Sequence, residues 1–319
     1  MTATMPSLDE SDLPEWASAR AGKGDKIFSA LALAAGLVIV AALAAVFIFL
    51  AIKGAPGFSK AGEVYGPHAD NFFGYVGPLL VGTVSASIIA LIIAVPLAWG
   101  IALMISHYAP KWLGAPVAYV IDLLAAVPSV VYGLWGAFYL APKTVPVYEW
   151  LHDHLGFIPL FGDTSATGRT IMTAGIVLAI MILPIITAIS REVFSRTPRL
   201  HEEAALALGA TKWEMIRMSV FPYARSGMVS AVMLGLGRAL GETMAVTMVL
   251  SVGFDLSWNL LGSASPTSIA ANIALKYKER SADLLSVLIA TGLVLFLMTF
   301  LVNFAARWII GRSDRRMAR

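Results

Sequence analysis

The stretch that decides the fold is residues 191–251, REVFSRTPRLHEEAALALGATKWEMIRMSVFPYARSGMVSAVMLGLGRALGETMAVTMVLS. Its first part, to residue 225, is charged and holds six of the chain's 23 Lys and Arg residues. Such a basic loop is expected on the cytoplasmic face of a membrane. The apolar run that follows is long enough to cross that membrane, yet it carries Arg238 and Glu242 in its middle. A cytoplasmic loop joined to a charged transmembrane segment is the plan of a transporter.

Composition agrees. The chain is 58% hydrophobic and 13% charged with a mean hydropathy of +0.77, whereas soluble domains carry about 25% charged residues. No soluble core buries that much apolar surface, so the solvent is lipid. Basic residues are spread over short loops rather than gathered on one element, which argues against nucleic acid as a partner. The absence of cysteine excludes disulfides and thiolate metal sites.

Working outward, residues 1–26 form a polar tail. Residues 27–52 follow as a retained first transmembrane helix, too long for a signal-peptide core of about 7–15 residues. Residues 53–78 are an external loop. Apolar runs at 79–106, 116–140, 170–190 and 284–310 each meet the roughly 20 residues needed to cross about 30 Å of hydrocarbon. With the charged run they make six spans, five of them in a core at 79–310, before a basic tail at 311–319. With the N-terminus inside, 14 basic residues lie on the cytoplasmic side against seven outside, which favours both termini in the cytoplasm. The fold class is thus an all-α membrane protein.

The connection 141–169 reads as a long external loop. His152 and His154 within it do not share a helical face, and no third ligand is near, so they read as surface residues and no metal site is expected. In the connection 253–283, Ser265 and Pro266 suggest the start of a short helix at or dipping into the outer surface. In the charged stretch 191–226, Thr197-Pro198 starts one helix and Gly209 stops it. Thr211 and Glu214 match a capping box for a second helix, expected to end before Pro222.

Glu203-Ala204-Ala205-x3-Gly209, followed by Phe221-Pro222, resembles the EAA loop of bacterial ABC-importer permeases, which docks the permease on its ATPase. Ser219 stands where that family usually has Ile, and Phe221 where it usually has Leu. GLGRALGETMAVTMVL at 235–250 and LAAVPSVVYGLWG at 124–136 closely resemble the PstC-type permease subunits of phosphate-uptake ABC importers. Together with the loop, the resemblance covers most of residues 72–310. The resemblance implies a MetI-like permease in the cytoplasmic membrane that moves inorganic phosphate by alternating access. It implies a dimeric ABC ATPase docked at Glu203, Ala204, Ala205 and Gly209, a homologous second permease, and an extracytoplasmic phosphate-binding protein. ATP and Mg would be held by the partner ATPase, with no cofactor in this chain. Consistently, there is no G-x-x-x-x-G-K-[ST], and Gly22-Lys23 follows no strand.

Arg238 and Glu242 are four apart, so on a continuous helix they share a face. Each costs about 2.5–3.5 kcal/mol near mid-bilayer on insertion scales, so neither is expected to face lipid. Two readings follow: a mutual ion pair that fixes packing, or a substrate pathway in which Arg238 meets an oxyanion and Glu242 neutralises it when empty. The guanidinium fork suits phosphate because it bonds bidentately and keeps its proton. Two alternatives stand beside phosphate: another oxyanion such as sulfate or molybdate, and an ion-coupled secondary transporter with Glu242 carrying protons. No nucleophile–base cluster suggests an enzyme.

Overall fold

The computed structural model describes residues 23–317, except 61, 66–68, 251–252, 254–256, 264–265 and 280. The described residues are largely helical, with no strand among them. The chain divides into two compact units, Met1–Phe49 and Leu50–Arg319. Most of α1 (Lys23–Gly54) belongs to the first. Its apolar side chains from Ile27 to Phe49 are exposed on every side, the pattern of a helix solvated by lipid.

The second unit contains α2 (Phe72–Leu103), α3 (Lys111–Ala126), α4 (Ser129–Trp135), α5 (Ala141–Leu155) and α6 (Ile171–Ser195). It continues with α7 (Arg199–Ala207), α8 (Lys212–Met215), α9 (Phe221–Gly241), α10 (Met244–Val249), α11 (Ile269–Lys276) and α12 (Ala282–Met317). The core is built on α6, where Ile171, Val177, Leu178, Met181, Ile182 and Ile186 are all buried. Lipid tails are as apolar as leucine, so helices associate in a membrane by close van der Waals approach. The sequence provides it with small residues. On α2, Ala86, Ala90, Ala94, Ala98 and Ala102 recur every fourth position and are at most 2% exposed, a seam along one helical face. Gly175 on α6 faces Ile89, and Gly235 on α9 faces Ile186. A Cβ at either position would lie within 2.8 Å of those side chains.

The two ends of α2, about 48 Å apart for 32 residues, separate the connections. At its N-terminal end Tyr75 accepts from Asn272 Nδ2 of α11 at 2.7 Å. Thr83 Oγ1 accepts from Ile269 N at 3.0 Å. At its C-terminal end Ala102 and Leu103 pack with Phe194, Met215, Ile216 and Val220. The segment 191–226 therefore lies at one end of the bundle and α11 at the other.

Among the described residues, four helices are long and apolar enough to cross a membrane, and one bent pair adds a fifth. That pair corrects the straight span expected at 116–140. The chain turns by 92° between α3 and the α4–α5 segment, at Val127-Pro128. A residue before proline avoids the helical region, and proline has no N–H to offer the preceding turn. Tyr132 repairs part of the break by donating its hydroxyl to Leu124 O at 2.8 Å. The expected loop at 141–169 is likewise half helix, because α5 runs to Leu155. The short helix at 253–283 exists but begins later, capped by Ser268, whose Oγ accepts from Ala271 N at 3.2 Å. Ser265 lies outside the described residues. The apolar run that carries Arg238 and Glu242 is divided between α9 and α10.

Candidate functional site

The break between α9 and α10 holds Arg238 and Glu242. Helix α9 ends at Gly241, and Glu242 takes an extended conformation with φ −69° and ψ 127°. Arg238 sits in the last turn of α9, at the negative end of that helix dipole, where a cation is favoured. Glu242 is 9% exposed, and its Oε1 accepts from Ala245 N at 3.1 Å, in the first turn of α10. There a carboxylate is favoured and relieves an orphan helix-end donor. Each charge thus has its own helix terminus.

This changes the expected ion pair. Sequence spacing placed the two side chains on one face of a continuous helix, but the helix stops between them. Among the described residues no carboxylate lies within ion-pair distance of Arg238. Its guanidinium instead opens onto a groove of about 870 Å³ lined by Ser230, Leu234, Gly237, Asn303 and Arg307. It also lies within coulombic reach of Tyr132 on α4. Asn303 and Arg307 on α12 were not singled out from the sequence. Their signal was present: they are four apart, within the apolar run at 284–310. Two guanidinium groups and the Asn303 amide, which keeps one N–H beyond its bond to Thr299 O at 2.9 Å, suit an oxyanion on this groove, while the Ser230 hydroxyl donates to Ser226 O at 2.8 Å.

The predicted docking elements form as the sequence chemistry requires. Helix α7 closes with a Schellman turn: Gly209 N donates to Leu206 O at 2.9 Å and Ala210 N to Ala205 O at 3.2 Å. That turn needs a residue with positive φ, and Gly209 has φ +86°. The capping box is present. Thr211 N and its hydroxyl donate to Glu214 Oε2 at 2.8 and 2.7 Å, which holds the Glu214 carboxyl below its ordinary range. Pro222 does not end the second helix. A wider π turn at Ile216–Val220 leads directly into α9, and Pro222 occupies its first turn, where no backbone N–H is needed.

Glu203, Ala204 and Gly209 are exposed, and so are Leu200 and Leu208, at 76% and 90%. Ala205 turns the other way, against the cluster of Ile216 and Val220. Ser219 donates to His201 O at 3.1 Å and ties α7 to the π turn. His107 Nε2 lies 3.4 Å from Glu202 Oε1, and Lys212 Nζ lies 4.7 Å over the Tyr108 ring. Asp122 at the end of α3 meets Arg191 at 3.5 Å. The exposed apolar patch therefore rests on a platform fixed to the ends of α2, α3 and α6.

The two histidines of α5 are separately engaged. His154 Nδ1 donates to Trp150 O at 2.9 Å and its ring stacks on Trp150. His152 Nδ1 approaches Phe161 O at 3.3 Å. No cluster of metal-ligating side chains occurs among the described residues.

Comparison with known proteins adds the family. Residues 94–319 match the family described as "Binding-protein-dependent transport system inner membrane component". The chain is 47% identical over 310 residues to "Phosphate transport system permease protein PstC 2" of Mycobacterium tuberculosis, covering 91% of this chain and 93% of that protein. It is 38% identical to the PstC of Xylella fastidiosa over 99% of both. Among solved structures it resembles a bacterial ABC transporter involved in alginate import, with a TM-score of 0.52 and 18% identity over 93% of this chain and 98% of that one. It also resembles the inward-facing MetNI methionine ABC transporter, with a TM-score of 0.51 and 17% identity over 74% and 93%. At those identities the structural likeness speaks to fold alone.

Proposed function

We infer function from membership: this chain belongs to the family of binding-protein-dependent transport system inner membrane components. It is a multi-pass permease subunit of an ABC importer for phosphate. The observation that carries the substrate is the 47% identity to a phosphate permease over nine tenths of the chain. The chain acts as a transport subunit, and ATP and Mg belong to a separate ATPase. A homologous second permease and an extracytoplasmic phosphate-binding protein complete the assembly.

Two finer assignments follow. The platform at residues 191–226 docks the ATPase through Glu203, Ala204 and the Gly209 turn, supported by the exposed patch of Leu200 and Leu208 on a rigid base. Ala205 supports that surface from beneath. The substrate pathway runs past Arg238 and along the groove toward Arg307. The docking end lies in the cytoplasm, because Lys111 and the six basic residues at 191–225 gather there.

Reconstituted with its partners in liposomes, the protein should take up phosphate only when ATP reaches the ATPase. Uptake without ATP, driven by a proton gradient, would favour the ion-coupled alternative. In the same assay Gly209→Val should uncouple the system. A β-branched residue at φ +86° costs about 1–2 kcal/mol or more, although no neighbour lies within 4 Å of a Cβ there. The variant should reach the membrane and lose the ATPase during purification. Normal co-purification would contradict docking at this turn.

A further inference from the structure

A second cavity, of about 650 Å³, lies where α11 meets the start of α12, apart from the groove beside Arg238. Its walls differ in chemistry. Lys276, Lys278 and Ser281 line one side, while Leu284, Leu285 and Leu288 from the first turns of α12 line the other. Lys276 is held in place, with Nζ 5.1 Å over the Tyr75 ring. Its helix is anchored next to it by the buried Asn272–Tyr75 hydrogen bond. The nearby acid Asp283 is engaged by Lys60, and Glu279, which does not line the cavity, lies within coulombic reach of Lys276. Tyr277 and Leu285 stand exposed at 66% and 42%, so the cavity opens at the level where a polar connection becomes a membrane helix. Aromatic side chains favour that level.

A cationic wall facing an apolar one suits an amphiphile with an anionic head. Free inorganic phosphate would satisfy the lysines but leave the leucine wall without a partner. We propose that this cavity binds one anionic phospholipid, its phosphodiester on Lys276 and Lys278 and an acyl chain along Leu285 and Leu288. The site lies at the end of the bundle opposite the docking platform, and it does not depend on the identity of the transported substrate.

The test uses the full chain in nanodiscs of equal phosphatidylglycerol and phosphatidylcholine, with retained lipids counted by native mass spectrometry after detergent stripping. The wild type should retain phosphatidylglycerol preferentially. Lys276→Gln with Lys278→Gln should lower that preference by about fivefold for each lysine removed. Lys276→Arg with Lys278→Arg should keep it, and Leu285→Trp, which fills the apolar side, should reduce it with both lysines intact. Equal retention by the wild type and the double glutamine variant overturns the proposal. So does thermal stabilisation by inorganic phosphate in phosphatidylcholine discs that is lost with the two lysines, since that assigns the cavity to the free anion.

Discussion

Arg238→Gln should reach the membrane at normal levels, assemble with its ATPase, hydrolyse ATP, and lose phosphate uptake by about a hundredfold or more. The magnitude follows from the bond type. A hydrogen bond to a charged group is worth about 1.5–3 kcal/mol, and a guanidinium meets phosphate through two of them. Folding should survive because Arg238 has no carboxylate partner among the described residues to leave stranded and faces a groove rather than the core. Arg238→Lys keeps the charge but loses the fork, so its uptake should fall by about tenfold. Uptake with ATPase rate measured alongside checks both. Wild-type uptake by the glutamine variant would make Arg238 a packing residue.

The second large effect is at Glu242, where two substitutions should part. Glu242→Gln retains an oxygen that can accept from Ala245 N, so α10 keeps its cap and the protein its thermal stability. Glu242→Ala leaves that buried N–H without an acceptor and should cost about 1–3 kcal/mol, read as a lower melting temperature and lower membrane level. A direct Arg238–Glu242 ion pair gives a different pattern. Either single neutralisation would then cost roughly 3–5 kcal/mol, and neutralising both would restore stability. The geometry at the helix break instead implies no rescue by the double change. Equal destabilisation by Gln and Ala at 242, reversed by adding Arg238→Gln, would contradict it.

Much of this was legible in the sequence because local chemistry decides it. Gly209 and the Thr211–Glu214 pair specify their turn and cap within a few residues, and both form as expected. The alanine seam of α2 is visible as a four-residue period. The misses share a cause, since each depends on how a helix is interrupted. Pro128 lies within the run expected as one span at 116–140, and with Val127 it turns the chain by 92°. Pro222 reads as a stop, yet after a π turn it opens α9. Gly241-Glu242 gives no clear stop signal, because the break is stabilised by the Glu242 carboxylate capping the next helix. Arg307 was legible as a charge near the end of a span. Only the packing of α12 beside α9 reveals that it shares a groove with Arg238.

The central claim is that this permease passes phosphate, and oxyanion selectivity of the complete complex tests it most directly. Liposomes containing the permease pair, the ATPase and the binding protein would be offered labelled phosphate, sulfate and molybdate in turn, with ATP inside. ATP-dependent uptake of phosphate, unaffected by an excess of either competitor, is the predicted result. Uptake of sulfate or molybdate at the phosphate rate, or phosphate uptake that either anion abolishes, would contradict it.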